Sequence, residues 1–200
     1  MKLYFKFKKL QPALLCVILI FTLLIFIPFN SIAQDNGHFA PTLTGFSVNS
    51  GYTYDPSNTS FVQVSFFKLF DYDKVWPHAA PENLRFKVEA SLGGAYWQRD
   101  SVRLIANVEM LALYYVDILA TKKFKPYIEG GIGVIFTDYR VEDQAYRINF
   151  NPQAGIGVEI SRKKKGNCFI AVRAHHLSNS GINSSNRGQN SIVFMFGQYF

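Results

Sequence analysis

The sequence predicts an all-β fold, an eight-stranded antiparallel transmembrane β-barrel with a packed polar interior, and three observations lead there. From about residue 42 to the last residue, apolar and polar side chains alternate with period two, which gives a strand one apolar and one polar face. Most of the alternating segments are ten residues or longer, whereas soluble strands average about five to six and membrane-barrel strands need about nine to eleven. No apolar run after Ala33 is long enough for a membrane helix, so a chain that crosses a membrane there must cross as a closed barrel.

Residues 1–33 read as a signal peptide and residues 34–200 as the barrel domain. Lys2, Lys6, Lys8 and Lys9 form a basic start, and an apolar run from Leu10 to Phe29 follows, broken only by Gln11, Pro12 and Thr22. Ser31-Ile32-Ala33 then gives the small-x-small pattern of a cleavage site. The run is also long enough to span a bilayer uncleaved; Ala33 and the preceding Pro28 favour cleavage. Removing this segment leaves 167 of 200 residues, with 17 basic against 14 acidic side chains, so the net charge falls from +7 to +3. Much of the basicity belongs to the signal, and nucleic-acid binding has no support. Cys168 remains as a lone cysteine, which excludes an intrachain disulfide.

Eight segments alternate, near 42–54, 59–70, 83–97, 102–119, 123–136, 147–160, 167–178 and 190–200. An even count suits a barrel, and eight strands enclose an interior filled by side chains. The apolar face falls on even positions, among them Phe46, Val48, Val62, Val64, Phe86, Val88, Ile128, Ile156, Ile170, Ile192, Phe194 and Phe196. The odd face carries Arg85, Lys87, Glu89, Asn107, Glu109, Glu129, Glu159, Arg173 and His175, a set of nearly balanced charge that fits an interior network. A soluble sandwich would show the same alternation with the apolar face inside. Tyr52, Tyr54, Tyr96, Trp97, Tyr139 and Tyr199, near strand ends, are expected to form interfacial girdles.

Both termini of an even-stranded barrel lie on the periplasmic side. Outer loops are then expected near 55–58, 98–101, 137–146 and 179–189, and inner turns near 71–82, 120–122 and 161–166. The 71–82 turn is unusually long and suggests no role from sequence; Lys163, Lys164 and Lys165 read as a solvated turn. The final SIVFMFGQYF ends on Phe200 and resembles the C-terminal signal read by the barrel-assembly machinery.

The chemistry-bearing stretch is AHHLSNSGINSSNRGQNS, residues 174–191. His176 and Ser178 are two apart and even-numbered, so they share the apolar, outward face. Asn190 opens strand eight, is also even, and a hairpin between strands seven and eight can bring it beside His176. Nucleophile, base and orienting group thus gather on the outer wall. His175 is odd and is expected to face the interior. Polar residues at headgroup level are common at strand ends, and an isolated His-x-Ser carries little information alone.

The segment resembles the signature of the lipid A 3-O-deacylase (PagL) family, eight-stranded outer-membrane esterases with a His-x-Ser-Asn-x-Gly stretch followed by Asn-x-Gly. Here it reads His176-Leu177-Ser178-Asn179-Ser180-Gly181 and Asn186-Arg187-Gly188. The resemblance implies hydrolysis of the ester at position 3 of lipid A, with Ser178 as nucleophile and His176 as base. Asn179 and the backbone N–H of Gly181 are the oxyanion candidates. At Asn190 the family carries a glutamate; asparagine can orient the imidazole but brings no charge. No Asp or Glu lies on the even face of strands seven or eight, and Glu142 or Asp143 from the preceding outer loop is the expected substitute. Arg187, with Arg99 and Arg140 in other outer loops, is the candidate for the lipid phosphates.

The partners implied are lipid A or lipopolysaccharide and the surrounding outer-membrane lipids; a homodimer stays open. No cofactor is expected, and no metal, because no acidic cluster has calcium-like spacing. Two other readings stand beside the deacylase: a non-enzymatic barrel with a structural or surface-interaction role, and an esterase acting on phospholipid.

Overall fold

A computed structural model describes residues 42–56, 59–97, 101–162 and 166–200. The expected signal segment, Arg99 and Lys163–Lys165 lie outside them. The strands are β1 (Leu43–Asp55), β2 (Thr59–Asp71), β3 (Leu84–Trp97), β4 (Ser101–Tyr115), β5 (Phe124–Thr137), β6 in two pieces (Ile148–Phe150 and Gln153–Ile160), β7 (Cys168–Leu177) and β8 (Gln189–Tyr199). Each pairs antiparallel with its neighbours in sequence, and β8 returns to pair with β1, so the sheet closes as an eight-stranded barrel. The break in β6 falls at Asn151-Pro152. Proline has no N–H for the ladder, yet the register runs on unchanged, with Phe150 opposite Val134 and Gln153 opposite Gly131. The fourth segment ends earlier than its pattern suggested, because Asp117–Leu119 turn into a short 3-10 helix.

The alternation sorts as expected. Phe46, Val48, Val62, Val64, Ile156, Phe194 and Phe196 are exposed on the outer wall, where a bilayer rather than water would solvate them. Inside, Arg173 donates to Glu89, Glu109 and Glu129, and Lys87 pairs with Glu89 at 2.8 Å. Asn107 and Asn151 donate to Glu109 as well. Toward the end where β1 begins and β8 ends, this network gives way to an aromatic plug of Phe67, Phe169 and Tyr199, with Lys87 Nζ 4.5 Å from the Phe67 ring. Gly45 and Gly197 leave the room these rings occupy; a Cβ at either would collide with them.

Three expectations change. Arg85 is not part of the interior network: it sits beside the 71–82 turn, paired with Asp71 at 3.0 Å. Only the even-numbered aromatic residues Tyr52, Tyr54 and Tyr96 belong to an exposed girdle. Tyr199 is buried because odd parity turns it inward; Tyr139, past the end of β5, is buried as well, with Trp97 stacked on it at 4.5 Å. Finally, the long 71–82 turn has a structure of its own. A single helical turn, α1 (Tyr72–Val75), lets Trp76 and Tyr72 fold onto the outward ring of Phe86, at 5.5 and 6.4 Å, which leaves that even-numbered residue buried.

Candidate active site

The site lies at the outer end of the β7–β8 hairpin. Antiparallel register sets His176 directly opposite Asn190, so their outward side chains meet: His176 Nδ1 and Asn190 Oδ1 are 2.7 Å apart. The imidazole is exposed to the outside and lies along the backbone of Gly188, where a Cβ would come within 2.7 Å of Cε1 and 3.2 Å of Nε2. Ser178 follows two residues on, past the end of β7. Its backbone is clamped by Phe150 of β6, with N–H···O contacts of 2.8 and 3.1 Å in the two directions. Its hydroxyl makes no hydrogen bond among the described residues, to His176 or to any other group.

The loop after Ser178 is ordered by one buried side chain. Asn179 is 2% exposed. Its amide donates to the carbonyls of Asn183 and Ser185, its Oδ1 accepts the Gly181 N–H at 3.0 Å, and its own N–H donates to Asn186 Oδ1 at 2.7 Å. Ser180 and Gly181 both take positive φ, at 56° and 80°, which turns the chain sharply; the second suits glycine. The two oxyanion candidates, Asn179 and Gly181, therefore spend their donors on this loop.

The acid expected to stand in at Asn190 is not where the sequence placed it. Neither Glu142 nor Asp143 forms a side-chain bond to the site; Asp143 contributes only a backbone carbonyl, to the N–H of Arg187. The acid beside Asn190 is Asp55, at the end of β1. Its Oδ2 accepts the Asn190 amide N–H at 2.9 Å and its Oδ1 accepts Arg187 Nη2 at 2.6 Å. The sequence places Asp55 only at the start of the outer loop expected near 55–58. The register between β1 and β8 shifts between Thr53 and Asp55, and this β-bulge turns Asp55 onto the outward face beside Asn190.

His175 faces inward and is buried, as its parity requires. Arg140 holds the Ala145 carbonyl across its own loop at 2.8 Å. A cleft of about 750 Å³ opens within the crown of loops, lined by Trp97, Arg103, Arg140 and Arg147 among others, but neither His176, Ser178 nor Asn190 reaches it. The candidate site is thus a patch on the barrel wall. Below it lie the exposed Ile192 and Phe194, and beside it Phe150. No group of three or more potential metal ligands gathers among the described residues.

Comparison with known proteins bears on this patch. The family described as lipid A 3-O-deacylase (PagL) matches residues 62–198. The lipid A deacylase PagL of Pseudomonas aeruginosa is 31% identical over 130 residues, 64% of this chain and 72% of the relative. The crystal structure of the outer membrane enzyme PagL superposes with a TM-score of 0.54 at 25% identity, covering 77% of this chain and 98% of that one. Neisserial surface protein A superposes almost as well, with a TM-score of 0.52 over 79% of this chain and 95% of its own, but at 11% identity it speaks for the fold alone.

Proposed function

The chain belongs to the lipid A 3-O-deacylase (PagL) family, and from that premise we propose a serine-esterase mechanism worked at the outer leaflet of the outer membrane. Residues 1–33 serve as the cleaved export signal, and the terminal Phe200, exposed beside Phe46 and Phe66, is the end presented to the barrel-assembly machinery. The observation that carries the mechanism is the 2.7 Å contact of His176 Nδ1 with Asn190 on the outer wall, with Ser178 two residues further on the same face.

In the reaction, His176 Nε2 takes the Ser178 hydroxyl proton as Oγ attacks the acyl carbonyl of the position-3 ester. Rotation of Ser178 about χ1 brings Oγ to the imidazole when substrate seats; catalytic hydrogen bonds of this kind commonly tighten only in the complex. The tetrahedral oxyanion is held by donors of the 179–181 turn, with the Gly181 N–H leaving Asn179 Oδ1 to do so. The proton passes from the imidazolium to the departing 3-hydroxyl of the sugar, and water, deprotonated by the same imidazole, then frees the fatty acid from Ser178. The acyl chain lies along Phe150, Ile192 and Phe194. Arg187 has guanidinium N–H groups beyond the one held by Asp55, and these are the site for a lipid A phosphate.

Mass spectrometry of lipid A from cells expressing the chain tests the reading. The wild type removes one ester-linked acyl chain; Ser178→Ala and His176→Ala each abolish that loss while the barrel still shows heat-modifiable mobility. Nucleophile and base act as a unit, so the double variant is no worse than either single one. An active Ser178→Ala protein overturns the mechanism, and a wild type that leaves lipid A intact turns the reading to a non-enzymatic barrel. Loss of fatty acid from phospholipid with lipid A untouched assigns the other esterase.

A further inference from the structure

Asp55 has no part in the family's signature; it lies on β1, before the matched stretch 62–198. We propose that Asp55 is a positioning residue for the esterase reaction: through the carboxamide of Asn190 it fixes the tautomer of His176 and supplies the negative charge that Asn190 lacks. This rests on the esterase reading above for its catalytic consequence, although the tautomer itself does not.

A carboxamide has one accepting end and one donating end, and density of contacts decides which way it points. A carboxylate only accepts, so Asp55 Oδ2 at 2.9 Å must face the Asn190 NH2 group. The other end of the amide, Oδ1, is then turned to His176 Nδ1 at 2.7 Å. An oxygen there requires Nδ1 to carry the proton, and Nε2 is left with the lone pair that a base needs. Where asparagine replaces the triad aspartate of trypsin, the amide imposes the wrong tautomer, at a cost of about 10⁴ in turnover. Here the neighbouring carboxylate removes that freedom. Arg187 Nη2 holds the other carboxylate oxygen at 2.6 Å, so Asp55 is itself held in place.

When Nε2 takes the serine proton, the imidazolium is stabilised by negative charge along its Nδ1 side. Asn190 transmits it: polarised by Asp55 at its NH2 end, it presents a more negative oxygen to Nδ1. No proton moves to Asp55 in this scheme.

Two readouts test the relay on the full chain folded in detergent micelles. The first is the ¹⁵N spectrum of the His176 imidazole at a pH where the ring is neutral. The wild type shows the Nδ1–H form, and Asp55→Ala shifts it to a mixture with Nε2–H. An Nε2–H wild type, or a ratio unmoved by Asp55→Ala, overturns the proposal. The second is turnover on purified lipid A. Asp55→Ala lowers kcat by about 10²-fold with KM changed less than about threefold, the scale of a weakened general base. Asp55→Asn, which keeps an acceptor for Asn190 but not the charge, falls between the two. In the Asn190→Glu background, where charge sits directly on His176, Asp55→Ala costs less than about threefold. An equal loss in both backgrounds shows that Asp55 merely braces the loop, and overturns the proposal, as does an Asp55→Ala protein with full kcat. A wild type that leaves lipid A intact but keeps an Asp55-dependent Nδ1–H tautomer overturns the esterase reading and leaves the relay standing.

Discussion

Gly188 and His176 leave no space for a side chain between them: a Cβ at 188 would lie 2.7 Å from Cε1 of the ring. The glycine of the second Asn-x-Gly stretch is therefore a wall for the imidazole. Gly188→Ala pushes the ring away from Asn190 and should lower kcat by about 10²-fold, the cost of a misplacement near 1 Å. Barrel mobility on gels should be unchanged, since the residue lies in an outer loop. Full activity in Gly188→Ala would show that the ring is free to reposition.

Asn179 should behave as the keystone of its loop. Removing its amide strands the carbonyls of Asn183 and Ser185 and the N–H of Gly181. Asn179→Ala is expected to cost about 1–3 kcal/mol locally, seen as rapid proteolytic nicking within residues 180–188 while the strands stay protected. Deacylation should fall with it.

Arg173 tests the interior rather than the site. It satisfies three buried glutamates, so Arg173→Ala should destabilise the barrel by about 3–5 kcal/mol in urea unfolding from detergent or lipid. Arg173→Lys should recover only part of this, because an ammonium lacks the fork that engages several carboxylates at once. Turnover per folded molecule should be close to that of wild type.

Trp76 tests the inner turn. It packs edge-on against Phe86 at 5.5 Å, and Trp76→Ala should cost about 0.5–1.5 kcal/mol of barrel stability without altering deacylation, because the proposed site is at the opposite end of the barrel. Equilibrium unfolding measured beside an activity assay separates the two effects.

The strands were legible because period two is a physical constraint on any sheet with unlike faces. His176 and Asn190 were legible for the same reason: both are even, and a hairpin must pair them. Asp55 was read only as the start of an outer loop; a bulge carries it onto the outward face beside Asn190, and no count of residues reveals a bulge. The girdle expectation failed at Tyr199 from setting parity aside, since that residue is odd and buried. The roles of Asn179 and Trp76 depend on which distant groups a loop brings within reach, and neither has a periodic signature.

The bond between Asn190 and Asp55 joins the last strand to the first. Serine, histidine and asparagine all belong to one hairpin and its loop. The carboxylate arrives only when β1 meets β8. On the proposed relay, the hairpin by itself holds nucleophile, base and orienting amide without the charge behind them, so closing the sheet and completing the site are one event.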